Sequence, residues 1–121
     1  MAKNDFRDLV AWQQGSELVM EIYDLTGKLP KEEIEGLTGQ MRRAAINIPA
    51  KLARGYGVNR RKSIINGLLA AHGYLKELES HLLVAVKLGL VYGDDIAPAL
   101  DQCRTLGQEI EQLEESLFDE D

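Results

Sequence analysis

Two histidines, one cysteine and a cluster of basic side chains are the residues of this 121-residue chain with chemistry to offer beyond packing. His72 and His81 stand nine positions apart in one helical segment. At about 100° per residue they fall about 180° out of phase, so they cannot share a metal ion unless another helix contributes. The chain has no His-Glu-x-x-His, no Glu-x-x-His and no cysteine pair. Glu77 and His81, four apart, read as a surface pair rather than a catalytic one. Cys103 lies on an apolar seam and reads as a buried structural thiol, not a nucleophile. "GYGVNRRKS" lacks the Gly-Lys-Ser/Thr ending of a phosphate loop. No catalytic residue, metal or cofactor is assigned on these grounds, and the chain is not expected to be an enzyme.

The basic residues offer more. Between Gly36 and Lys76 there is no Asp or Glu, but there are eight basic residues: Arg42, Arg43, Lys51, Arg54, Arg60, Arg61, Lys62 and Lys76. That span carries +8 and the remainder −14, in a chain of net charge −6. Arg43, Asn47, Lys51 and Arg54 recur at spacings that keep them within one arc of a helix. Arg60, Arg61 and Lys62 follow across a glycine-containing turn. Such a stripe is the electrostatic footprint of a phosphate-backbone binder. Arg43, Lys51, Arg54, Arg60 and Arg61 are therefore the candidate contacts to RNA or DNA. The same charges also suit an acidic protein surface or a second copy of this chain, and charge runs are commonly no more than solvated helix faces. Only Tyr56 and Tyr74 lie near enough to offer a ring for base stacking.

These side chains must be positioned by helices. Gly and Pro gather at "TGKLPKEE", "RGYGVN" and "LGLVYGDD", dividing the chain into four long segments without strand alternation or an Asn-Gly or Asp-Gly hairpin signal. The predicted helices span about 5–26, 32–56, 60–88 and 94–118 in a single domain, 1–121. The first is expected to be capped by Asp5 and closed by a left-handed Gly27, with Leu18, Ile22, Leu25 and Leu29 inward. The second starts behind Pro30, buries Ile34, Leu37, Met41, Ala44, Ile48 and Leu52, and ends at Gly55 and Gly57. Pro49 interrupts its hydrogen bonding, but the apolar phase survives, so a kinked continuous helix is expected. The third has Asn59 as N-cap, Gly89 as C-cap, and Ile64, Leu68, Ala71, Leu75, Leu78, Leu82 and Ala85 inward. Gly67 and Gly73 are expected to admit a close neighbour. The fourth, with Pro98 near its first turn, buries Leu100, Cys103, Leu106, Ile110, Leu113 and Leu117 in alternating steps of three and four. Amphipathic helices with short connections define the expected fold class: all-α, an antiparallel up-down-up-down four-helix bundle.

Composition agrees with a globular chain: 45% of residues are hydrophobic. "MAKNDFRD" has no apolar run of a signal peptide, and no stretch approaches the roughly 18 apolar residues of a membrane span. With a lone cysteine, these features lead to the expectation of a cytoplasmic protein. Trp12, Val19, Tyr23 and Val84 exceed what one apolar stripe needs, which favours self-association.

"LTGQMRRAAINIPAKLARGYG" (Leu37 to Gly57) and "AAHGYLKELESHL" (Ala70 to Leu82) resemble the 23S rRNA intervening-sequence protein family, also called the S23 or four-helix-bundle protein family. The opening "FRDLVAWQQGSELVMEIYDLT" and the "LP" before the second helix fit as well, so the resemblance runs from Phe6 to Leu117. It implies a helical bundle that assembles into a ring-like homopentamer, with no established enzymatic activity. Relatives include accessory proteins of diversity-generating retroelements, which bind nucleic acid and a reverse transcriptase. The chain also departs from the pattern. After the proline the family resembles x-Asn-Ile-Ala-Glu-Gly, and here Lys51 and Arg54 replace the Asn and Glu. Ser63 stands where a Glu usually opens the third helix. The polar network implied by the resemblance is missing, and each change makes this surface more positive.

Overall fold

The computed structural model describes residues 5–118. The chain forms four helices, α1 (Val10–Thr26), α2 (Leu37–Val58), α3 (Arg61–Lys87) and α4 (Gly93–Phe118), with a short 3₁₀ turn before α1 and another between α1 and α2, and no strand among the described residues. Each helix packs on two neighbours, in the cyclic order α1–α2–α3–α4, and α2 with α3 is the most intimate pair. Neighbours run antiparallel. Gly15 faces Pro49 while Thr26 meets Arg42, and His72 meets Glu114 while Leu75 meets Gly107. The interior is the expected one: Leu18, Ile22, Met41, Ile48, Leu52, Leu68, Leu75, Leu78, Leu82, Leu106 and Ile110 are all buried. Burying leucine- and isoleucine-sized side chains contributes about 1.5–3 kcal/mol each, so this stripe holds the bundle together. Of the remaining expected core positions, Leu37, Ile64, Leu100, Leu113 and Leu117 are half-buried and pack against that core from its margin.

The helix ends differ from expectation in instructive ways. Asp5 caps a 3₁₀ turn, Phe6–Asp8, by accepting from the Arg7 amide, and α1 begins only at Val10. The Arg7 side chain grips the same carboxylate and lowers its pKa to about 2. Gly27 does close α1, but with right-handed dihedrals (φ −62°, ψ −20°), so no left-handed residue is needed there. The segment after Pro30 forms a 3₁₀ turn, Lys31–Glu33, and α2 starts at Leu37. Ile34 is consequently 56% exposed, because it precedes the helix that would have turned it inward.

Helix α2 runs unbroken through Pro49, Gly55 and Gly57. The residue that ends it is Asn59, in the left-handed region (φ 57°, ψ 45°), where a short polar side chain is tolerated. Asn59 thus terminates α2 rather than capping α3, whose N-cap is Arg60. At the far end of α3 Gly89 takes φ +75°. Its amide bonds to the Val86 carbonyl and that of Leu90 bonds to Ala85, a Schellman closure with Leu90 folded on the core. The Asp95 carboxylate reaches back to the Tyr92 amide at 2.7 Å and fixes the start of α4. Pro98 sits one turn further in, on the exposed side.

Candidate anion-binding groove

The glycines of α2 and α3 set the geometry of the candidate site. Gly55 lies four residues before Asn59 and Gly67 seven after Arg60, on either side of the α2–α3 turn, and the antiparallel hairpin brings them together. A Cβ built on Gly67 would stand 2.6 Å from the Lys51 carbonyl oxygen and 3.1 Å from the Gly55 Cα. One built on Gly55 would stand 2.7 Å from the Ser63 carbonyl oxygen. The two backbones therefore touch, and the missing side chains leave a groove above them. Gly73 plays no such part, since its Cβ would meet nothing within 4 Å. Of the two α3 glycines, only Gly67 admits a neighbouring helix.

The groove has a volume of about 430 Å³. Lys51, Arg54 and Val58 line it from α2, and Ser63, Asn66 and Ala70 from α3, with Gly55 and Gly67 as its floor. Lys51 is half-buried and Arg54 exposed. Neither forms an ion pair or hydrogen bond through its side chain among the described residues. Among the described residues, every side chain at the rim that carries a charge is cationic, and both polar neutral ones carry hydrogen-bond donors.

The five candidate residues separate in space. Lys51 and Arg54 share the groove. Arg43 is exposed on the same side of α2, about 12 Å from Lys51 by helical rise. Arg60 is the exposed N-cap of α3. Arg61 turns the other way and donates to the Leu117 carbonyl at 2.7 Å, tying α3 to the end of α4. Arg42, also in the acid-free span, is structural. Its Nε donates to Thr26 Oγ1 at 2.8 Å and its guanidinium lies 4.5 Å above the Tyr23 ring. Ser63 and Asn66 are the members that sequence reasoning missed. The signal for them was the pair Gly55 and Gly67, whose contact fixes the register of α3 against α2.

Tyr56, Tyr74, His72 and Cys103 are engaged away from the groove. Tyr56 and Tyr74 are half-buried against the core, and burial, reinforced by Glu109, raises the Tyr56 phenol's pKa. His72 Nδ1 lies 3.2 Å from both carboxylate oxygens of Glu114, a bridge between α3 and α4. His81 does not join it. Cys103 is buried, and its pKa is pushed up to about 12, first by burial. No cluster of three or more His, Cys, Asp or Glu side chains suited to a metal occurs among the described residues.

The fold and groove define a helical-bundle protein with a cationic cleft between its second and third helices. Its sequence matches the model of the 23S rRNA-intervening sequence protein family over residues 7–112, and the chain belongs to that family. A search of curated proteins found no match. No helix of the described residues is long and apolar enough to cross a membrane.

Proposed function

We propose that this protein is a non-catalytic, self-associating bundle that binds the phosphate backbone of RNA or DNA through α2 and the start of α3. The observation that carries the proposal is the groove in which Lys51 and Arg54 stand without carboxylate partners among the described residues. A solvated stripe of no function needs no concavity, and here two cations flank one. Arg43 and Arg60 extend the contact along the same surface. Because Tyr56 and Tyr74 are packed inward, the surface suits backbone contacts rather than base stacking. Binding is therefore expected to be largely independent of sequence and steeply dependent on salt.

The test is a titration of labelled single-stranded RNA at two salt concentrations against wild type and the Lys51→Asn/Arg54→Glu variant. These substitutions restore the residues that the family resemblance implies. The variant is expected to bind at least about tenfold more weakly at low salt. Its salt dependence should be shallower by about 1.4 in log–log slope, the value for two lost single-strand phosphate contacts. Equal binding by the two proteins, or none by wild type at low salt, would overturn the proposal. It would leave these charges to an acidic protein partner or a neighbouring subunit.

Self-association is supported by apolar side chains that the bundle leaves in water. Tyr23 is 41% and Ile46 45% exposed. Val19 shares Tyr23's face of α1, and Ile46 lies one turn from Arg42, which covers the Tyr23 ring. This is one stripe across α1 and α2. Val84, 38% exposed, lies on α3, while Trp12 is half-buried, edge-on to Phe6 at 5.4 Å between ring centres. A homopentamer, which the family resemblance implies, would bury the stripe and repeat the groove around a ring. Repetition lets several weak contacts act together on one polyanion despite the net charge of −6. Light scattering at micromolar concentration should give the mass of an oligomer, and a monomer would refute this part.

A further inference from the structure

We infer that the α2–α3 groove is a seat for a single dianionic phosphoryl group, a phosphate monoester such as the 5′ end of a nucleic-acid strand. This deepens the proposed reading of the groove as a phosphate-binding site and rests on it. A phosphodiester in mid-strand offers two free oxygens and one negative charge, with a sugar on either side. A monoester offers three oxygens and about −1.5 to −2 charges at neutral pH. The groove is matched to the second. It holds two cations, Lys51 and Arg54, on one wall and two neutral groups with donors, Ser63 and Asn66, on the other. Its floor is two helix backbones in contact at Gly55 and Gly67, which no polymer can thread. A group must enter from outside and stop there. The volume of about 430 Å³ leaves room for the attached sugar. No carboxylate among the described residues lines the groove to repel the ligand. Three of these features belong to this chain, for Lys51, Arg54 and Ser63 are the positions where it departs from the family pattern.

The experiment compares one single-stranded RNA oligonucleotide carrying a 5′-phosphate with the same strand carrying a 5′-hydroxyl. Both are titrated against wild type, Ala70→Leu and Asn66→Asp, with inorganic phosphate as competitor. Ala70→Leu fills the groove without touching a charge, on a helix that favours leucine. Asn66→Asp, at an exposed position, adds a negative charge to the wall. Wild type is expected to bind the phosphorylated strand about tenfold more tightly, the size of one charge-assisted contact set. Both variants should lose that preference: the ratio of affinities for the two strands should fall to about one, whatever change each variant brings to the hydroxyl strand itself. Inorganic phosphate should erase the preference, and lowering the pH below about 6, where the dianionic monoester takes up a proton and becomes a monoanion, should shrink it. Equal binding of both strands by wild type would overturn the seat while leaving backbone binding in place. Competition by phosphate for the phosphorylated strand without any binding of the hydroxyl strand would support the seat and overturn backbone binding. Binding of neither strand at low salt would overturn both.

Discussion

Replacing Gly67 by alanine is expected to destabilise the bundle by about 2 kcal/mol, although alanine is the better helix former by about 1 kcal/mol. The added methyl would sit 2.6 Å from the Lys51 carbonyl oxygen and 3.1 Å from the Gly55 Cα. Both are backbone atoms of a packed helix and cannot rotate away, so α2 and α3 must part and forfeit contact along their whole interface. Gly55→Ala meets the Ser63 carbonyl oxygen at 2.7 Å and should cost a similar amount. The double variant should cost less than the sum, because one separation of the helices relieves both clashes. Gly73 is the control. It lies on the same helix, exposed and with open space around it, so Gly73→Ala should stabilise by about 0.5–1 kcal/mol. At about 4 °C per kcal/mol for a chain of this size, thermal unfolding followed by circular dichroism separates the two outcomes. A Gly67→Ala protein as stable as wild type would show that the helices are not in backbone contact. The groove would then lose its floor.

The helix faces were legible in the sequence because burial follows the helical period. Leu18, Ile22 and Leu25 repeat it in α1, and Met41, Ala44, Ile48 and Leu52 repeat it in α2, and all are buried. Pro49 did not hide the second run, since a ring on the helix flank removes one hydrogen bond without shifting the phase of its neighbours. The helix ends were less legible. The glycines near its end read as the stop signal of α2, but Gly55 and Gly57 are helical and Asn59 carries the left-handed turn. A glycine marks either a turn or a close approach, and only the partner helix decides which. Gly55 and Gly67 have that partner in each other.

The candidate site was legible as charge and not as shape. The acid-free span pointed to Lys51 and Arg54 because exclusion of carboxylates is visible in one dimension. It also included Arg42 and Arg61, whose guanidinium groups are taken up by Thr26 and Tyr23 in one case and by the Leu117 carbonyl in the other. Thr26 and Leu117 lie sixteen and fifty-six positions from their arginines, and Tyr23 is further from Arg42 in sequence than Thr26 is, beyond any local pattern. The far wall of the groove, Ser63 and Asn66, carries no charge and so left no mark on the count. Its position follows from the register that the two glycines impose.

Cys103 should react with a thiol-labelling reagent at least about a thousandfold more slowly in the native protein than in denaturant at pH 8. Burial, with Glu79 opposing ionisation more than Lys76 favours it, raises the thiol from an ordinary 9 to about 12. The reactive thiolate is then about a thousandfold rarer than in the unfolded chain, before exclusion of the reagent is considered. The side chain is 1% exposed, so labelling has to await opening of the bundle. The same shift makes stability depend on pH. Below pH 9 the thiol is protonated in both states and contributes no slope. Above it the unfolded chain releases a proton that the folded one retains, so stability falls, by about 1.4 kcal/mol at pH 10, and goes on falling until about pH 12. Cys103→Ala removes this loss. Its stability relative to wild type should therefore rise with pH through that window, whatever fixed penalty the smaller side chain brings. Other groups titrate there too, but they are common to both proteins and cancel in the difference. Rapid labelling of the native protein, or a difference that stays flat from pH 8 to 10, would place Cys103 at the surface. The inward face of α4, from Ile96 to Ile110, would have to be turned with it.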